Sequence, residues 1–214
     1  MRKGVILTLP CYDIVTEYLS AFSQKIKIES EKKGVFLKLL NKEKANKREF
    51  EKVINKLDCK LIVFNGHGSD DSIKGDKGEV LVKLGKNDFI LKNRLVYARS
   101  CEAAYLLGRA SVKNSNGCFI GYDLPFEFYF NSEWAANPIK DNFARPFLES
   151  SNLVPISLIK GNSSLESHER ARKQMLKNIK KILRSKTQEA FFIAESLWNN
   201  YLGQVILGNQ KAIL

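Results

Sequence analysis

With 214 residues, 44% of them apolar and 27% charged, the chain reads as one soluble globular domain with enough sequence to bury a core. No stretch approaches the roughly 18 uninterrupted apolar residues of a membrane span. The first apolar run, Val5–Leu9 ahead of Pro10, is shorter than the roughly 7–15 residues of a signal-peptide core, so a cytoplasmic protein is expected.

The formal net charge of +12 raises nucleic acid as a partner. The lysines, however, are scattered along the chain and are not interleaved with aromatics as in a stacking platform. The reading retained is a lysine-rich wet surface, with a basic nucleic-acid-binding α/β domain kept as an alternative.

The elements follow in chain order. Gly4–Leu9 predicts a buried strand ended by Pro10. Ile14, Val15, Tyr18, Leu19 and Phe22 then share a helical face, with Asp13 as its cap. Val35–Leu40 predicts a second strand. Asn46 and Glu49 open a helix with an apolar stripe of Phe50, Val53, Ile54 and Leu57. Cys59–Phe64 is a third strand, and β-α-β-α-β order argues for a parallel sheet covered by helices.

Farther on, loop 69–78 leads to an alternating edge strand at Glu79–Leu84, paired with Asp88–Leu91. A strand at Arg94–Ser100, a helix at Glu102–Ala110 and a strand at Gly117–Tyr122 come next. The aromatic stretch 123–138 reads as a long loop and Val154–Ile159 as a strand. Ser163 and Glu166 form a capping-box pattern for an amphipathic helix reaching about Arg184, whose lysines form a solvated face. A helix over 188–202 and a short strand in QVILGN close the chain. The fold class expected is α/β, with a mostly parallel central sheet flanked by helices on both faces.

The four cysteines, Cys11, Cys59, Cys101 and Cys118, form no CxxC pair and no Cys/His cluster. That spacing argues against a zinc site, and disulfides are not expected in a cytoplasmic chain. Cys59 and Cys118 fall within strand patterns and are assigned to the core.

The chemistry concentrates at two strand ends. In LIVFNGHGSDD, His67 follows an apolar strand and stands between Gly66 and Gly68; in VYARSCEAA, Cys101 follows another. Functional groups of parallel sheets gather beyond the carboxyl ends of the strands. On neighbouring strands, the two residues would share one crevice as nucleophile and base. The glycines permit a tight bend and close approach to a substrate. The amides of Gly68 and Cys101 are candidate donors to an oxyanion. A helix starting after Cys101 would favour its thiolate, with Glu102 opposing. Cys11, after Pro10 on the same edge, is the second-choice thiol. His168 is expected on the surface.

These motifs, together with the closing SLWNNYLGQVILGN, resemble the caspase-like cysteine peptidases, a group that includes caspases, legumain, gingipains and separase. The closest look is to bacterial CHAT-type proteases. The likeness covers about residues 59–122 and 195–209. It implies a mostly parallel α/β fold and peptide-bond hydrolysis by a Cys-His dyad without metal or other cofactor. Cys101 would attack the scissile carbonyl, His67 would protonate the leaving amine, and the Gly68 and Cys101 amides would hold the oxyanion.

In that group the residue two before the nucleophile commonly lines the pocket for the residue preceding the cut. Here it is Arg99, whose guanidinium would favour an acidic side chain. Pairing of Arg99 with Glu102 or Asp123 would silence it, and Asp123 in the pocket would instead favour Arg or Lys. The resemblance also implies a protein or peptide substrate, in a bacterial defence or signalling setting. The chain departs from the group in being short for a protease with its own regulatory module, so an activating protein partner that orders loops 69–78 and 123–138 is expected. A catalytically idle scaffold that binds a protein partner is the alternative within the same fold.

Overall fold

The computed structural model describes residues 2–214. In chain order the elements begin with β1 (Arg2–Leu9), α1 (Ile14–Phe22), α2 (Gln24–Lys32), β2 (Phe36–Asn41), α3 (Lys47–Leu57) and β3 (Cys59–Asn65). Then come β4 (Gly68–Ser69), β5 (Ser72–Lys74), β6 (Val80–Lys83) and β7 (Leu95–Arg99). The second half holds a short π-helical turn (Ala104–Gly108), α4 (Arg109–Val112), β8 (Cys118–Tyr122), α5 (Arg145–Ile159), α6 (Ser164–Ser185), α7 (Ala190–Gly203) and β9 (Gln204–Gly208).

Six strands form the central sheet in the order β2-β1-β3-β7-β8-β9. Every neighbouring pair is parallel except β8 with β9. The strands alternate residues between two covered faces, which is why they read as nearly continuous apolar runs. On β3, Ile62 and Phe64 enter one core with Phe50, Val53 and Ile54 of α3. Leu61 and Val63 enter the other, with Ile26 of α2 and Val154 and Leu158 of α5. A third cluster joins Tyr18 and Phe22 of α1 to Phe147 of α5 and Leu197 of α7. Fold class therefore stands as α/β with a mostly parallel sheet and helices on both faces.

Several elements depart from the sequence reading. Val154–Ile159 is the last part of helix α5, with Pro155 inside it. Val154, Leu158 and Ile159 pack on the sheet at helical spacing, so burial overrides their β-forming character and the proline. Residues 69–78 are not an open loop: they end β4, carry β5 and a 3₁₀ turn at Asp76–Gly78, and β5 is the middle strand of a small antiparallel sheet, β4-β5-β6. β6 pairs with β5, and Asp88–Leu91 is a 3₁₀ turn. After Cys101 the chain forms the π turn and the single-turn α4 in place of one regular helix. The capping box at Ser163 and Glu166, the long α6 and the final strand fall where their residues place them.

Candidate active site

The end of β3 is built around Asn65, whose side chain is fully buried. Its Nδ2 donates to Thr8 O on β1 at 2.8 Å, and its amide N–H donates to Thr8 Oγ1 at 3.1 Å. Gly66 then turns the chain at φ +134°, and a Cβ there would lie 2.6 Å from Lys74 O, so only glycine fits. His67 follows, its carbonyl accepting the Lys74 N–H at 2.9 Å. Its ring stands beside Tyr12, with centroids 6.1 Å apart.

His67 Nε2 lies 2.7 Å from Asp13 Oδ2, with both side chains about one-third exposed at 38% and 34%. Asp13 has two tasks. Its Oδ1 caps α1 by accepting from the Thr16 amide and hydroxyl, each at 2.8 Å. Its Oδ2 takes the imidazole. Burial pushes this carboxyl up, but the Thr16 amide, His67 and the Thr16 hydroxyl outweigh burial and hold it below the ordinary carboxylate value. In the tautomer that donates Nε2–H to Asp13, Nδ1 is the ring's acceptor nitrogen.

Strand β7 pairs with β3 in a register that places Asn65 opposite Arg99. His67 and Cys101 each lie two residues further on, just past the ends of these adjacent strands. Contact between the two loops is direct. A Cβ on Gly68 would stand 2.9 Å from Ser100 Cβ and 3.0 Å from Cys101 O. Glu102 completes the turn at φ +55°, an uncommon backbone for a residue with a side chain, and its N–H donates to Leu124 O at 3.3 Å.

The Cys101 thiol is covered by the segment after β8. Its Sγ lies 3.8 Å from Phe126 O. Burial pushes this thiol up, contact with the Phe126 backbone pulls it down, and the carboxylates of Glu102 and Glu127 push it up again, for a net rise. The expected help from a helix N-terminus is absent because only a π turn follows. The thiol is therefore held above its ordinary value.

The covering segment is an ordered strap. Phe126, Phe128 and Phe130 form a ladder of rings 6.1–6.3 Å apart, closed by Tyr122 at one end and Tyr18 beneath. Asn200 of α7 fastens it as a sheet neighbour would, accepting the Glu127 N–H at 3.0 Å and donating to Glu127 O at 2.6 Å.

Arg99 does not line an open pocket. It is 0% exposed. Nε and Nη2 donate to Asn65 Oδ1, Nη1 to Ser151 Oγ and Asn152 Oδ1, and Nη2 also to Ser23 Oγ and Leu19 O. Alternation along β7 aims it at α1, α2 and α5, and helix packing seals it there. A substrate carboxylate has no route to it, and neither Glu102 nor Asp123 pairs with it. Asp123 lies 3.8 Å from Arg109 on the surface, and Glu102 is exposed.

His168 is buried at 8% exposure, with Nδ1 lacking a hydrogen-bond partner. Its place on the inner face of α6 overturns the surface assignment. Cys11 sits half-buried after β1, while Cys59 and Cys118 are core residues. Among the described residues no cluster of His, Cys, Asp or Glu is placed to hold a metal ion, and no helix is long and apolar enough to cross a membrane.

Sequence reasoning missed Asp13 as the partner of His67, seeing only its cap. Its position just after the first strand, on the same sheet edge as His67, is the signal that would have revealed it. No known family profile matches this chain, and no curated protein sequence matches it significantly.

Proposed function

We propose that this protein is a caspase-like cysteine endopeptidase in which Cys101 is the nucleophile, His67 the base and acid, and Asp13 the residue that orients His67. The observation that carries this reading is the placement of His67 and Cys101 just past the ends of adjacent parallel strands, with Gly68 packed on the Cys101 backbone. That arrangement supplies a thiol, an imidazole with one nitrogen anchored at 2.7 Å, and a glycine turn a substrate can approach. The amides of Gly68 and Cys101 are the proposed donors to the developing oxyanion.

The reaction runs as attack of Cys101 Sγ on a peptide carbonyl, with the thiol proton passing through His67 to the leaving amine; water then releases the acyl group. The strap-covered thiol is a resting state, and an activating partner that shifts the Phe126–Phe130 strap would uncover it. With Arg99 sealed, the carboxylates left around the thiol, Glu102 and Glu127, favour a basic residue next to the cut.

Incubating the wild type, Cys101→Ala and His67→Ala with a peptide library and mapping cuts by mass spectrometry tests this. Cuts lost in both variants and placed beside Lys or Arg support the reading. Preferential cuts after Asp or Glu remove the specificity argument, and cuts that survive Cys101→Ala remove the mechanism.

A further inference from the structure

A groove of about 700 Å³ lies between α2, α5 and α6, away from the dyad. That volume is within the usual range of small-molecule sites. Lys25, Arg145, Lys177 and Lys181 stand on its walls against a single carboxylate, Glu149. Glu149 is shared between two of them, 2.6 Å from Lys25 Nζ and 3.8 Å from Arg145 Nε. Lys177 and Lys181 form no ion pair among the described residues, so the α6 wall carries uncompensated charge facing a recess floored by Leu153 and Ile156.

A second, independent observation points the same way. Asn152 belongs to the groove lining and is itself 1% exposed. Its Oδ1 accepts from Arg99 Nη1 at 3.0 Å. Arg99 is a fully buried cation whose hydrogen-bond partners are all neutral oxygens of Asn65, Ser23, Ser151, Asn152 and Leu19. Buried charges are ordinarily compensated by an opposite charge. Asn152, whose Nδ2 donates to Phe22 O at 2.8 Å, stands between Arg99 and this groove, whose walls carry further cations.

We propose that this groove binds a small phosphorylated ligand, whose negative charge is held by Lys177 and Lys181 and serves as the missing counter-charge for Arg99 across Asn152. The apolar floor takes the rest of the ligand. Because Arg99 also holds Asn65, the bound ligand tightens both strand ends that carry His67 and Cys101. The site is independent of whether the dyad hydrolyses peptides.

The test titrates the intact chain with tripolyphosphate and with ATP at constant ionic strength by calorimetry. Hydrogen exchange is followed in the peptides spanning 65–67 and 99–101. Saturable binding of at least one probe is expected, with slower exchange at both strand ends. The double variant Lys177→Glu/Lys181→Glu, altering exposed residues only, should lose at least about tenfold in affinity. Lys33→Glu/Lys56→Glu, the same charge change elsewhere, should stay within about twofold. Asn152→Asp, which gives Arg99 an internal carboxylate, should also weaken binding.

Equal losses in the two double variants, or unchanged binding in Asn152→Asp, overturn the assignment. Binding of a short DNA duplex or of phosphatidic-acid vesicles with no response to either soluble probe likewise overturns it, in favour of a nucleic-acid or lipid surface.

Discussion

Replacing Asp13 separates its two tasks. In Asp13→Asn, Oδ1 remains to accept from the Thr16 amide and hydroxyl, each at 2.8 Å, and asparagine caps helices as well as aspartate does. The atom facing His67 Nε2 at 2.7 Å becomes an amide N–H, so donor meets donor and the imidazole must change tautomer or swing away. A charge-assisted bond between groups about one-third exposed is worth about 1 kcal/mol of stability. The expected fall in Tm is then roughly 2–4 °C for a chain of this size.

Asp13→Ala also removes the cap, a further loss of about 1 kcal/mol, doubling the shift. In catalysis the two variants should look alike. A disoriented base forfeits most of a factor of about 10²–10⁴, and because Asp13 does not touch substrate the loss should fall in kcat with KM unchanged. The assay is kcat and KM on a peptide taken from the cleavage map, beside thermal melts of all three proteins. Asp13→Asn with wild-type kcat would refute the positioning role; equal melting losses in the two variants would refute the separation of cap from catalysis.

Gly68→Ala puts a Cβ 2.9–3.1 Å from Ser100 Cβ, Cys101 O and Ser72 O; overpacking against these should cost about 1–3 kcal/mol and lower kcat/KM at least about tenfold, and a variant with native melting and activity would contradict the close approach of the two loops. Arg99→Met strips donors from five buried partner residues, so a loss above about 3 kcal/mol is expected in denaturant unfolding; a stable variant that had merely lost acidic-peptide cleavage would restore Arg99 as a substrate reader. His168 is held at about 4, below its ordinary 6.5, by burial and then by Arg172. Its contribution to stability is therefore full above pH 6.5 and is lost as pH falls towards 4, by at most about 1.4 kcal/mol per pH unit. His168→Gln should flatten the pH dependence of unfolding in that window, and an unchanged slope would show that His168 is not the titrating group.

Local signals in the sequence were enough for most of the framework. Apolar runs at Gly4–Leu9, Cys59–Phe64 and Gly117–Tyr122 became sheet strands, because burial on two faces leaves only one kind of pattern. The Asp13, Asn46 and Ser163 caps mark helix starts that hold in three dimensions, since a cap is a contact within one turn. His67 and Cys101 were visible as polar residues just beyond apolar strands, and their separation of 34 residues equals that of the paired Asn65 and Arg99.

What only the tertiary structure decided concerns contacts between distant segments. Val154–Ile159 has strand composition but takes its conformation from packing on the sheet. Whether Arg99 reads a substrate or fills the core depends on where α1, α2 and α5 cross β7, and no spacing within VYARSCEAA reveals that. His67 finds Asp13 across 54 residues, and Asn200 fastens the strap to α7 across 73. Sequence patterns encode the faces of individual elements, while the partners of a polar side chain are set by how those faces are assembled.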